Sequence, residues 1–305
     1  MGGGSYSSSS WTAYSSSVSS KSAAEIFTKS ELDPYLDPKG FAVREARDSD
    51  EHPASTPIIV AVDVTGSMHM IAEVIAKKGL GTLFQEILDR KPVTDPQLMF
   101  MANGDAACDD APIQASQFES DNRIVGQLEK IYIEHGGGGN SSESYDFPWY
   151  IAAKRTAIDS WEKRGKKGYL FTIGDELAPY GLTKEQIEKF TGDKIQANLS
   201  AAELLRMAEQ KFHVFHLVVE EGNFCQGHGK DAVLTDWRKL LGQRVLPLAD
   251  HTKLAEVIVS AIQVIEGEDK AKVEASWDGS TAVTVKRAIN GLVGKVNEEE
   301  GVVSL

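Results

Sequence analysis

Three apolar runs in this chain stop at an acidic residue. Ile58-Ile59-Val60-Ala61-Val62 stops at Asp63, Gln97-Leu98-Met99-Phe100-Met101 leads into Gly104-Asp105, and Tyr169-Leu170-Phe171-Thr172-Ile173 stops at Gly174-Asp175-Glu176. Short apolar runs of this kind read as strands buried on both faces, as a parallel sheet requires. After the first run, Ile71, Val74, Ile75, Leu83, Phe84, Ile87 and Leu88 recur at three- and four-residue spacing and predict a helix near 69–90. Further helices are predicted over 123–133, 144–161, 183–190, 200–211, 231–242 and 253–265, and strands over 212–220 and 245–248. Residues 113–118 read as a short antiparallel partner of the second strand. Strands alternating with helices predict an α/β fold: a doubly wound, mostly parallel central sheet flanked by helices, with function at the carboxyl ends of its strands.

The flanks have a different pattern. Residues 1–22 are rich in Gly and Ser, too poor in apolar surface to offset the entropy of ordering, and read as a disordered leader. Residues 23–56, with turns at Asp33-Pro34 and Asp37-Pro38, read as an extension packed on a domain that spans 57–265. From 266 to 305 the pattern loosens into an acidic C-terminal extension with one β-like patch, Ala282-Val283-Thr284-Val285.

Composition narrows the function. With 45 acidic against 32 basic residues the net charge is −13, which argues against nucleic acid and favours cations or basic partners. Two cysteines are too few for a disulfide framework and suit a reducing compartment. No apolar run is long enough to cross a membrane, and no signal peptide is evident, so the expected location is the cytoplasm.

The chemistry lies in Asp63-Val64-Thr65-Gly66-Ser67. A hard cation such as Mg2+ takes about six oxygen ligands and keeps waters where the protein offers fewer. Asp63, Thr65 and Ser67 alternate in a turn after a strand and can aim three oxygens at one point, with Gly66 relieving the crowding. Asp175 reaches the same point if its strand is the neighbour of the first.

These residues resemble the von Willebrand factor A family, whose metal-ion-dependent adhesion site reads Asp-x-Ser/Thr-x-Ser after the first strand. The resemblance covers about 57–265. It implies Mg2+, with Mn2+ or Ca2+ as alternatives, completed by a Gly-rich second loop and an Asp from a third. The counterparts here are Gly136-Gly137-Gly138-Gly139-Asn140-Ser141-Ser142-Glu143 and Asp175. The second loop offers Asn140 and serines where the family has Thr, and the third reads Gly-Asp where the family has Asp-Gly. Which of 140–143 ligates is left open; Asn140 and Ser142 stand as metal candidates, and Glu143, Asp105 and Glu176 as partner-binding candidates. The family resemblance further implies a non-catalytic adaptor whose protein partner donates an Asp or Glu carboxylate to the metal.

Two other functions compete. A Mg2+-dependent phosphatase or hydrolase also uses an Asp at a strand end, but an aspartyl nucleophile wants a second Asp where Thr65 stands. A structural assembly protein with a degenerate metal site is the third reading. Simpler roles are available to several residues: Asp63, Thr65 or Ser67 as a helix cap, Asp105, Asp109 and Asp110 as a solvated acidic loop, and Cys225 and His228 as structural residues lacking the partners zinc needs.

Overall fold

The computed structural model describes residues 20–68, 79–133 and 142–294, with isolated positions before 20 and at 74. Ten strands lie among the described residues: β1 (Arg44–Ala46), β2 (Thr56–Asp63), β3 (Pro96–Asn103), β4 (Ile113–Ala115), β5 (Thr156–Ile158), β6 (Gly168–Gly174), β7 (Gly181–Leu182), β8 (Leu199–Ser200), β9 (Phe212–Val219) and β10 (Val245–Leu248). Six form the central sheet in the order β10-β9-β6-β2-β3-β4, parallel except for the β3–β4 edge pair. The fold is the doubly wound α/β arrangement that the apolar runs predict.

Every residue of β2 and β6 is buried, because each strand faces a core on both sides. On one face Ile58, Val60 and Val62 pack with Leu83, Phe84 and the helix Leu254–Glu266. On the other, Ile59 and Ala61 pack with Phe147, Trp149, Leu204 and Trp237. Strand order fixes where a ligand can enter. The chain winds outward from β2 to β4, then returns to lay β6 on the other side of β2 and winds outward again to β10. The crevice beyond the carboxyl ends of β2 and β6 is therefore the topological switch point, where open α/β sheets bind ligands.

Both flanks contribute to the core. Ile26, Phe27 and Leu36 join the cluster on the first face, and β1 pairs in parallel with β5. The continuous helix expected over 144–161 is instead a helix Asp146–Lys154, β5, and a second helix Asp159–Arg164. The break supplies the pairing partner for β1, a demand that local periodicity does not register. The β-like patch at 282–285 lies within a helix, Gly279–Ile289. Its β-branched residues favour a strand in isolation, but Val285, Ala288 and Ile289 bury one helical stripe against the first core, joined by Leu292 just beyond the helix, and that packing outweighs propensity.

Among the described residues no helix is long and apolar enough to cross a membrane.

Candidate functional site

Asp63 is the last residue of β2 and is fully buried. In the parallel register Val62 lies opposite Ile173, so Asp63 stands level with Gly174 at the end of β6. The following turn is held by backbone hydrogen bonds, one to the end of β3 and one within the turn: Val64 N–H donates to the Asn103 carbonyl at 3.0 Å and Met68 N–H to the Thr65 carbonyl at 2.9 Å. Asp63 Oδ1 accepts the Thr65 N–H at 2.9 Å and the Thr65 hydroxyl at 2.6 Å. Its other oxygen, Oδ2, accepts the Tyr145 hydroxyl at 2.8 Å.

Asp175 follows immediately after β6 and is also fully buried. Its Oδ2 accepts the Phe224 N–H at 2.8 Å. A Cβ on Gly222 would sit 2.3 Å from that oxygen, so glycine is what lets the loop after β9 close over Asp175. The Glu176 carbonyl accepts Trp237 Nε1–H at 2.9 Å. Ser142 directs its hydroxyl toward the carbonyls of Leu177 and Ala178 at 3.3 and 3.2 Å. Ser144 N–H donates to the Gly104 carbonyl at 3.1 Å, and its hydroxyl accepts the Ala106 N–H at 3.0 Å. Residues 142–145 thereby join the loops after β3 and β6.

The acidic groups repel one another. Burial pushes Asp63 up to about 7, with Asp175 adding to the rise against the hydrogen bonds from Thr65 and Tyr145. Burial, then the charges of Asp63, Glu176, Asp105 and Asp109, push Glu143 up to about 10. Burial, then Asp63, Asp175 and Asp105, push Glu176 up to about 8. Among the described residues, Glu143 Oε2 and Glu176 Oε2 are buried without a hydrogen-bond partner. Buried charge of one sign calls for a counter-charge, and carboxylates with hydroxyls are the hard oxygen donors that Mg2+ prefers. The residues fit such an ion.

Carboxylates alone do not make a coordination sphere here. Among the described residues, the single group of three acidic, His or Cys ligands whose ligand atoms lie within 4.8 Å of one another is Glu221, Asp250 and His251, at the ends of β9 and β10. At the Asp63 edge the hydroxyls and water would have to supply the remaining oxygens.

Of the residues predicted from sequence, Asp63, Thr65, Ser142 and Asp175 lie in the loops that meet at this edge. Asn140, with Ser141 and the four glycines before it, lies outside the described residues, as does the side chain of Ser67. Glu143, Asp105 and Glu176 are at most 8% exposed and form the floor of the site. Asp105 and Asp109 do not form the solvated loop expected of them. Asp109 Oδ2 accepts the Asp105 N–H at 2.7 Å and Asp105 Oδ1 the Ala107 N–H at 2.9 Å, and this local turn buries both carboxylates. Tyr145 was invisible to sequence reasoning, since an aromatic at the start of a helix reads as core. Cys225 packs in the second core, and His228 stacks on Phe224 at 4.5 Å between ring centres.

No protein-family model matches the chain, and no curated protein matches it. Solved structures similar to it include a pilus adhesin, SpaC, from Lactobacillus rhamnosus GG, at 8% identity and a TM-score of 0.47, covering 72% of this chain and 31% of that one. A von Willebrand factor type A protein from Catenulispora acidiphila is similar at 12% identity and a TM-score of 0.38, covering 71% of this chain and 44% of that one. The conserved hypothetical protein BatB from Bacteroides thetaiotaomicron is similar at 15% identity and a TM-score of 0.36, covering 67% of this chain and 95% of that one. The chain thus spans less than half the length of the first two. The strand order and register are those of a doubly wound α/β fold.

Proposed function

We propose that this chain is a protein-binding module that holds a divalent cation, Mg2+ first among them, at the carboxyl edge of its sheet. Asp63, Thr65, Ser67 and Asp175 would hold the ion, with a second-loop oxygen from Asn140 or Ser142. One observation carries the reading: Asp63, Asp175, Glu143 and Glu176 are buried together at the switch point, and one oxygen of each glutamate has no hydrogen-bond partner among the described residues. The cation would supply the missing positive charge. Because several of its ligands would be neutral hydroxyls, it would remain electron-poor and would accept a further anionic oxygen, such as an Asp or Glu carboxylate of a partner protein. The two free cysteines suit a reducing, cytoplasmic setting for an adaptor of this kind.

Affinity capture from lysate with the full chain tests the reading. Partners retained in Mg2+ should be lost in chelator and lost with Asp63→Ala. Retention unchanged by both treatments would refute the metal-dependent interaction.

A further inference from the structure

Tyr145 is tied to all three loops of the site. Its own N–H donates to the Glu143 carbonyl at 2.9 Å within the second loop, and its hydroxyl donates to Asp63 Oδ2 at 2.8 Å on the first. On the third loop, the Glu176 N–H donates to that hydroxyl at 3.4 Å. The ring is fully buried, edge-on to His216 and Trp237 with ring centres 5.0 and 5.5 Å away, so its position is set by packing. Trp237 in turn holds the Glu176 carbonyl through its indole N–H.

The hydroxyl occupies space that only glycine leaves open. A Cβ at position 174 would lie 2.1 Å from the Tyr145 oxygen and 2.4 Å from Cε1 and Cζ of the ring. Such contacts cannot be met by a small shift, because the buried ring is packed edge-on against the stacked His216–Trp237 pair. Gly174 and Tyr145 are therefore one structural unit, and the Gly-Asp order of the third loop has a reason: the residue before Asp175 must lack a side chain for the tyrosine to reach Asp63.

We infer that Tyr145 is a positioning residue for the cation site: its hydroxyl, admitted by Gly174, fixes the rotamer of Asp63 and ties it to the loop that carries Asp175 and Glu176. This rests on the cation-binding reading above. A group that orients a metal-binding carboxylate through a hydrogen bond typically changes metal affinity about 10- to 100-fold when removed.

The test is calorimetric titration of MnCl2 into the full chain, stripped with chelator, for wild type, Tyr145→Phe, Gly174→Ala and the double variant. Tyr150→Phe serves as control, since its hydroxyl donates to Asp193 away from the site. Circular dichroism of each variant establishes that it is folded. Folded Tyr145→Phe should bind Mn2+ about tenfold or more weakly, while Tyr150→Phe binds as wild type does. Gly174→Ala should lose at least as much affinity, and adding Tyr145→Phe to it should cost little more, because the same hydrogen bond is already broken. Should Gly174→Ala not fold, the comparison of Tyr145→Phe with Tyr150→Phe decides alone. If wild type binds Mn2+ and folded Tyr145→Phe binds equally well, the positioning role is overturned and the cation reading stands. Failure of wild type to bind would overturn both.

Discussion

Val62 and Ile173 lie opposite each other in the parallel pairing of β2 with β6, and this register sets Asp63 level with Gly174 and Asp175 one residue beyond. Two carboxylates that are 112 positions apart in sequence thus share one crevice at the switch point of the sheet, where burial denies them water. Counter-charge, protonation or strain must follow, and the predictions below distinguish these outcomes.

Removing a buried charge from this cluster should stabilise the cation-free protein. Glu176→Gln keeps the shape of the side chain and removes the repulsion from Asp63, Asp175 and Asp105. In chelator at pH 8 we expect a higher urea midpoint than wild type, corresponding to about 1 kcal/mol or more of added unfolding free energy. An unchanged or lower midpoint would mean that the carboxylate is compensated within the folded chain.

The pH dependence has a definite sign. Asp63 and Glu176 titrate near 7 and 8 in the folded state, above the ordinary carboxylate range of about 4, so the folded state holds more protons between these limits. Their contribution to stability is intact below about pH 4 and is lost as pH rises through their folded values. Urea unfolding in chelator should show wild type losing stability from pH 5 to pH 8 more steeply than Glu176→Gln. Added Mg2+ should restore most of the loss at pH 8.

Trp237 supports the site from behind. Its indole N–H holds the Glu176 carbonyl at 2.9 Å and its ring stacks on His216 with centres 3.5 Å apart. Trp237→Ala empties a fully buried position and should cost about 3–5 kcal/mol in urea unfolding. A cost below about 1 kcal/mol would show that the core refills the space and that the loop needs no such support.

The C-terminal helices should prove necessary for folding. Val273, Val285, Ile289 and Leu292 pack into the first core, and Arg287 pairs with the buried Glu220 through two contacts of 2.6 and 2.5 Å. Truncation after Glu266 removes that apolar cover and, among the described residues, leaves the Glu220 carboxylate with only Lys230 as an ion-pair partner, 3.8 Å away. We expect the truncated chain to lose its cooperative thermal transition; a sharp transition near that of the full chain would show that residues 57–266 and the N-terminal extension suffice.

Much of this was legible because the relevant signals are local. The runs at 58–62 and 169–173 are apolar throughout because both faces of the sheet are covered, and the acidic residues that end them lie on the edge that doubly wound sheets use for ligands. What could not be read depends on contacts between distant segments. The Tyr145–Asp63 hydrogen bond spans 82 positions, and β1 finds its partner β5 across more than a hundred. The burial of Asp105 and Asp109 follows from a local turn docked under Ser144, and the helix at 279–289 from an apolar stripe that matters only once the first core is there to receive it.

Calorimetric titration of MgCl2 into the chelator-stripped full chain at pH 8 decides whether the Asp63 edge binds a divalent cation. Cation binding at this edge gives a saturable isotherm with a stoichiometry near one, abolished by Asp63→Asn while the fold is retained. No binding heat at millimolar Mg2+, or the same isotherm with Asp63→Asn, would contradict it.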